Sequence, residues 1–341
     1  MLKKSLSVVL SVLMMLGAMS CAFAAEGDAP SSFGYYKHVF IIGVDGAGAA
    51  FDKVDSPNFD RIFGSNAYRH DAVTEDITVS AQNWGSILTG VTYDTHGFTN
   101  DSTGKNKRQA GCENPSIFYY ARQKFPDAKL VSFNNWSNIN HGIIEYGLGV
   151  NKINRKSDPL LTQSIVRYFE SGNKPDLMFV QLDSVDHAAH SHGGFSDEYY
   201  DAVKKMDGYL GQIYDAIAGA GLMDDGLFIL VADHGETTNG HGGNTPEEMA
   251  AVLSVAGKTV NQTILPETAH NRDVSAIALY ALGIEQPAQM VSSVPEGLFG
   301  AEKDKVADLG SEELPVADKL GNFFLKMLDA FVSLFDWIAS V

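Results

Sequence analysis

Five short apolar runs, Val39 to Val44, Lys129 to Phe133, Leu177 to Leu182, Phe228 to Ala232 and Ala250 to Val255, punctuate a chain whose intervening stretches are patterned as helices. Runs of this length suit buried strands and are too short for helices of ordinary size. Asp158-Pro159 reads as an N-cap with proline at the first helical position, opening a helix that continues through Tyr168. From about Asp197 to Ala220, Tyr200, Val203, Met206, Leu210, Ile213 and Ile217 recur at the spacing of one buried helical face. Strands alternating with helices predict an α/β layered domain around a mostly parallel sheet. Ligands in such sheets gather at the carboxyl ends of the strands. Here the polar clusters follow the apolar runs directly: Asp45 after the first, Asp183 to His190 after the third, Asp233-His234 after the fourth. The pattern therefore places three chemistry-bearing segments on one edge of the sheet.

The ends of the chain read differently. Lys3 and Lys4 precede an apolar run from Leu6 to Leu16, and Ala22-Phe23-Ala24 supplies small residues at signal-peptidase spacing. Residues 1–24 are accordingly expected to be an export signal, and the protein secreted or held at the cell surface or in a periplasm. Lipidation of Cys21 is the competing expectation, although Ala18-Met19-Ser20 fits poorly before a lipidated cysteine. Without Cys21, Cys112 is the one remaining cysteine, so no intramolecular disulfide is expected. Residues 25–285 are expected to form the main domain. Residues 286–318 are rich in Pro, Gly, Ser and acidic side chains and suggest a linker or loose surface segment. Beyond them Leu320, Phe323, Phe324, Met327, Leu328, Phe331, Phe335 and Ile338 predict an amphipathic helix over 319–341. That helix packs on the domain or touches a protein partner or membrane surface. Removing Lys3 and Lys4 from 25 basic residues against 42 acidic ones takes the net charge from −17 to about −19, which opposes specific or non-specific nucleic-acid binding. An anionic substrate must then be drawn by something local, and bound metal is the obvious candidate.

The clusters carry the chemistry. Gly43-Val44-Asp45-Gly46 sets a carboxylate at a strand end, which taken alone is an ordinary turn. Thr78-Val79-Ser80-Ala81-Gln82-Asn83-Trp84 leads into a short apolar stretch ending Leu88-Thr89-Gly90. Ser80 there is either an N-cap or a nucleophile at a helix N-terminus, where the dipole eases an alkoxide. Asp183-Ser184-Val185-Asp186-His187-Ala188-Ala189-His190-Ser191-His192 packs two acids and three histidines into ten residues, a density that metal binding explains and packing does not. Asp233-His234-Gly235-Glu236, followed by Gly240-His241-Gly242-Gly243, offers an acid and an imidazole at a strand end and a further imidazole in a glycine loop.

Together these residues resemble the alkaline phosphatase superfamily, most closely its type I phosphodiesterase and nucleotide pyrophosphatase branch, over roughly Lys37 to Gly283. The resemblance implies a three-layer α/β/α sandwich and two divalent metals, usually Zn²⁺, with Mn²⁺ also suited to an oxygen-rich site. It implies one metal on Asp186, His190 and His241, the other on Asp45, Ser80, Asp233 and His234, with Ser80 as nucleophile and Asn83 contacting a phosphoryl oxygen. Asp183 and His187 repeat the spacing of Asp186 and His190, and His270 competes with His241, so both choices stay open at this level. His96 and His192 are expected to be structural or to orient ligands.

The implied activity is hydrolysis of a small phosphate ester through a phosphoserine, with diesters favoured over monoesters because no arginine stands in the clusters to clamp a terminal phosphate. Sulfatase chemistry is disfavoured, since Ser80-Ala81-Gln82-Asn83-Trp84 lacks the Pro and Arg of the formylglycine context. A phosphoethanolamine transferase is disfavoured because such enzymes usually carry several membrane helices. A phosphomonoesterase or a non-catalytic surface-binding relative are the remaining alternatives.

Overall fold

The computed structural model describes residues 32–300. The expected export signal, Cys21 and the expected helix over 319–341 lie outside the described residues. Eight strands form one sheet: β1 (His38–Val44), β2 (Ala67–Val73), β3 (Leu130–Asn134), β4 (Asn151–Asn154), β5 (Leu177–Leu182), β6 (Gly226–Ala232), β7 (Ala250–Ala256) and β8 (Thr263–Ile264). Their order is β4-β3-β5-β1-β6-β7-β2-β8, and β7 alone runs against its neighbours. The helices are α1 (Pro57–Phe63), α2 (Ser80–Thr89), α3 (Tyr93–His96), α4 (Asn100–Lys105), α5 (Ile117–Lys124), α6 (Asp158–Glu170), α7 (Ser184–His192), α8 (Asp197–Gly219), α9 (Pro246–Met249) and α10 (Asp273–Ala281). Among the described residues no helix is long and apolar enough to cross a membrane.

Successive side chains of a strand point to opposite faces, and β1 divides its apolar residues accordingly. Val39 and Ile41 join Ile87 of α2, Phe118 of α5 and Ile277 of α10 in one core. Phe40, Ile42 and Val44 join Phe59 of α1, Ile165 of α6 and Met206 of α8 in the other. The sheet is thus covered on both sides, giving the three-layer α/β/α sandwich. Because β1, β5 and β6 are buried on both faces, their sequences are nearly continuous apolar runs, interrupted inside β5 by the buried Gln181. The sequence pattern does not predict β2, β4 or β8. β2 carries Tyr68, Arg69, His70 and Asp71 in its middle, and β4 is Asn-Lys-Ile-Asn on the sheet edge, so neither shows a run.

Two expectations need revision. Ser157, not Asp158, stands at the N-cap of α6, with Asp158 and Pro159 inside the first turn. The Asp158 carboxylate is turned to a different helix: it accepts from the Asp183 amide (3.0 and 3.1 Å), the Ser184 amide (2.8 Å) and Asn135 Nδ2 (2.8 Å). It therefore caps α7, whose own N-cap residue Asp183 makes no capping bond. Residues 286–300, within the expected linker, are fastened to the domain: Val291 and Ser292 amides donate to Gly90 O (2.8 and 3.0 Å), and Met290 and Leu298 are buried. Residues 301–318 lie outside the described residues.

Close packing couples the sheet to the site through Gly43. A Cβ at this position would meet Trp84 Cη2 at 2.4 Å, and the Trp84 indole donates to Asp45 Oδ2 at 2.9 Å. Gly43→Ala is expected to lower the unfolding free energy by about 1–3 kcal/mol through overpacking. Urea unfolding followed by tryptophan fluorescence measures this. An unchanged midpoint would show that Trp84 can shift freely.

Candidate metal centre and nucleophile

Strands β5, β1 and β6 are neighbours, so the segments after them converge at their carboxyl ends. Asp45 follows β1 and is buried. Its Oδ2 accepts from Trp84 Nε1 (2.9 Å) and Gln181 Nε2 (2.8 Å), whereas its Oδ1 has no hydrogen-bond partner. Asp233 repeats the arrangement: Oδ1 accepts from the Gly46 amide (3.1 Å) and the His234 amide (2.9 Å), and buried Oδ2 is left without a partner. Gly46 sits between them at φ +67, where a side chain would also strike Asp186.

His234 completes this group. Its Nδ1 lies 3.1 Å from the Gly235 carbonyl, which can only accept, so Nδ1 carries the proton and Nε2 presents a lone pair. Nε2 is 3.3 Å from Asp233 Oδ2, 3.6 Å from Asp45 Oδ1 and 3.5 Å from Ser80 Oγ. Ser80 is the first residue of α2, behind the N-cap Val79, so its hydroxyl is not spent on capping. Asp45, Asp233, His234 and Ser80 are therefore brought together as expected from the sequence.

The second set gathers around Asp186. On α7, residues 186 and 190 share a face. Asp186 Oδ1 is 3.3 Å from His241 Nε2, Asp186 Oδ2 is 3.4 Å from His190 Nε2, and the two imidazole Nε2 atoms are 3.2 Å apart. His241 Nδ1 faces the Thr78 carbonyl at 2.5 Å, which again turns Nε2 toward the carboxylate. The His241 ring stacks on His234 with centroids 3.8 Å apart. Asp183 instead accepts from Gln181, and His187 lines a separate cleft between α7 and α8 with Ser191, His192 and Lys205. His270 is held by Asn271 and Arg272, away from Asp186. His96 contacts the Gln82 carbonyl and Ser86 hydroxyl of α2 and accepts from the Phe98 amide, and burial pulls it down to about 4.

Asn83 is not placed as expected. It is fully buried one turn after Ser80, its Oδ1 accepting from Glu75 N and Asn271 Nδ2 and its Nδ2 donating to the Ile77 and Val79 carbonyls. All its capacity is spent on structure. Asn271, also fully buried, donates from Nδ2 to the Asp233 carbonyl (2.8 Å) as well as to Asn83 (3.3 Å), tying the strand end that bears the ligands to the nucleophile helix. The exposed amide beside Ser80 belongs to Asn100, whose Oδ1 accepts from the Ala81 amide at 3.0 Å. Glu236 was also missed. It is buried, with neither oxygen hydrogen-bonded.

The donor set fits divalent metal. Asp45 Oδ1, Asp233 Oδ2, Asp186 Oδ1 and both Glu236 oxygens are buried atoms without hydrogen-bond partners, a costly arrangement that a cation relieves. Ligand atoms of Asp45, Asp233 and His234 lie within 4.8 Å of one another, as do those of Asp186, His234, Glu236 and His241. Burial, then neighbouring carboxylates, push Asp45 and Asp233 well above the usual carboxylate range. Burial raises Asp186 too, but His241, His234 and His190 outweigh it and hold it low.

Residues 119–308 match the family described as type I phosphodiesterase / nucleotide pyrophosphatase. The chain belongs to this family. Among curated relatives of this phosphodiesterase-family chain, GPI ethanolamine phosphate transferase 1 of Saccharomyces cerevisiae is 26% identical over 162 residues, covering 41% of this chain and 18% of the relative. The match thus spans under a fifth of that protein's length. Murine ectonucleotide pyrophosphatase/phosphodiesterase 5 superposes with a TM-score of 0.60 at 12% identity, covering 76% of this chain and 97% of the other. A protein in the alkaline phosphatase superfamily from Vibrio parahaemolyticus superposes with a TM-score of 0.59 at 17% identity, covering 78% and 71%. These structures establish the alkaline phosphatase-like fold.

Without a cation, protons would offset part of the site's charge. Burial pushes Glu236 up to about 9; burial pulls His241 down, but Asp186, the Thr78 carbonyl and Glu236 outweigh it and lift it to about 9. Both groups have folded values above their unfolded ones, so the folded state binds more protons and their contribution to stability is lost as pH rises, that of Glu236 from 4.5 and that of His241 from 6.5, up to about 9. In chelator, the melting temperature is expected to fall across that window. Added Zn²⁺ or Mn²⁺ should flatten or reverse the trend by replacing the protons. Scanning calorimetry at several pH values checks it; a pH-independent melting temperature in chelator would contradict it.

Proposed function

We propose that this chain is a two-metal phosphoric ester hydrolase of phosphodiesterase type that works through a phosphoserine on Ser80, on the far side of an exporting membrane. The observation that carries the reading is the placement of the Ser80 hydroxyl 3.5 Å from His234 Nε2, beside the unpaired oxygens of Asp45 and Asp233. Asp45, Asp233, His234 and Ser80 would hold one divalent ion, and Asp186, His190 and His241 the other, with Zn²⁺ favoured by the imidazoles and Mn²⁺ by the oxygens. Two such ions, when bound, supply charge neutralisation for a phosphoryl group and lower the cost of ionising a serine hydroxyl.

The side chains do the rest. Ser80 Oγ attacks phosphorus in line as the ester oxygen departs, forming Ser80–O–P; water then attacks phosphorus and returns Ser80 to its hydroxyl. The α2 N-terminus favours the anionic oxygen of Ser80 and the phosphoryl group. Asn100, exposed and hydrogen-bonded to the Ala81 amide, takes over the phosphoryl-contacting role that buried Asn83 is not free to perform. Trp84, Gln181 and the Gly46 amide fix the inner oxygens of Asp45 and Asp233, so the outer oxygens need no rearrangement to act.

A second reading is favoured by the similarity to an ethanolamine phosphate transferase. The same serine ester resolves onto an acceptor alcohol instead of water if the acceptor occupies the site, which makes hydrolysis and transfer alternative ends of one mechanism. Hydrolysis of bis-p-nitrophenyl phosphate against p-nitrophenyl phosphate, with and without an added alcohol, separates diesterase, monoesterase and transferase by the products seen in phosphorus NMR.

Ser80→Ala is expected to reduce turnover of the preferred ester by about three orders of magnitude or more, with metal content unchanged within about a factor of two. It should also abolish the mass increase of intact protein quenched during turnover. Turnover near wild type in the variant would remove Ser80 from the mechanism.

A further inference from the structure

Glu236 lies two residues beyond His234 and is 1% exposed, yet neither carboxylate oxygen has a hydrogen-bond donor. Its surroundings explain why. Oε1 lies 3.9 Å from His234 Nδ1, whose proton faces the Gly235 carbonyl. The Tyr199 hydroxyl, the nearest phenol on α8, is directed to the Gly46 and Ala47 carbonyls at 3.0 and 3.1 Å. Gly46 presents no side chain, and a Cβ there would sit 2.9 Å from Asp186 and 3.0 Å from Glu236 Oε1, so the glycine is what lets both acids approach from the same side. Gly194 closes the other flank with bare backbone, 2.8 Å from Glu236 Cβ to its would-be Cβ. Nothing in this pocket donates to the carboxylate, while Asp186 and His241 offer ligand atoms within 4.8 Å of it.

We propose that Glu236 is itself a metal ligand of the first site, joining Asp186 and His241 there. The proposal rests on the two-metal reading and deepens it. Of the two further contributors to this site, Glu236 has a fully buried side chain whereas the His190 side chain is 56% exposed. A ligand that is buried holds the ion in the apoprotein's own geometry; a ligand in solvent must lose rotamer freedom to join it. Charge points the same way. Asp45, Asp186, Asp233 and Glu236 supply four carboxylates at adjoining positions, which balance two divalent cations, and buried charge is tolerated where it is neutralised. With Glu236 included, the first site offers two carboxylates beside its imidazoles, an oxygen share that accommodates Mn²⁺ as well as Zn²⁺.

The experiment compares metal content and calorimetric titration of ZnCl₂ and, separately, MnCl₂ into the chelator-stripped full chain for wild type, Glu236→Met, Glu236→Gln and His190→Ala. Met matches the shape without the oxygens, and Gln keeps the polarity if Met perturbs folding. The expected result is two equivalents in wild type, one in both Glu236 variants, and two in His190→Ala with the weaker step loosened by about 10–100-fold. Two equivalents at wild-type affinity in both Glu236 variants would overturn the proposal while leaving the two-metal reading intact. Wild type taking up no tightly bound metal would overturn both. Loss of one equivalent in His190→Ala together with two in the Glu236 variants would assign the further ligand role to His190 alone.

Discussion

The constraint on which the rest of the structure depends is the crowding of ionisable side chains at the carboxyl ends of β5, β1 and β6, away from water. Asp45 and Asp233 are almost fully buried, Asp186 and Glu236 are close by, and several of their oxygens have nothing to bond. Such an arrangement opposes folding unless a cation or protons compensate it. The surrounding residues make sense against that cost: Trp84, Gln181 and the Gly46 amide each satisfy an inner oxygen, leaving the outer one directed at the shared space. The imidazoles are treated alike. Backbone carbonyls take the Nδ1 proton of His234 and His241, so both rings face inward through Nε2.

Placement of the elements serves the same end. α7 begins where β5 ends, and because Asp158 of α6 binds its first amides, the helix starts at a fixed point and turns Asp186 and His190 to one side. α2 delivers Ser80 from the opposite face of the sheet. The Ser80 hydroxyl thus arrives from one layer and the Asp186 set from the other, with the ends of β1 and β6 between them.

Much of this was legible in the sequence, for physical reasons that also mark the limits. β1, β5 and β6 announce themselves because burial on both faces favours apolar residues almost throughout, Gln181 being kept for its bond to Asp45, and Asp45, Asp183 to His190 and Asp233-His234 stand at their ends. β2 and β4 do not, because strands bearing Arg69, His70 and Asp71, or Asn151 and Lys152, look like loops until their neighbours are known. Asp158 carries the pattern of a cap for its own helix, and only the tertiary structure shows that it serves a helix beginning 26 residues later. Equal spacing alone does not separate Asp186 and His190 from Asp183 and His187; the resemblance favours the later pair, and Asp186 is the acid that faces His241. Asn83 was read by type and spacing, and burial reassigns it. Glu236 stood in plain view beside Asp233 and His234, but an acid after a glycine reads as a solvated turn, and burial is invisible in a single sequence.

The Asn83–Asn271–Asp233 connection has a further consequence for how this site breathes. A side-chain amide that spans the carbonyl of a central strand end and the first turn of α2 means that neither can loosen without breaking bonds buried in the core. Thr78 holds the glycine-bearing stretch around His241 to the same unit, its carbonyl facing His241 Nδ1 and its hydroxyl accepting from the Gly242 amide, so exchange of amides in the Ser80 segment and in this stretch should follow the opening of the whole β1–β6 unit. The wall that carries the Ser80 hydroxyl thereby keeps time with the global stability of the fold.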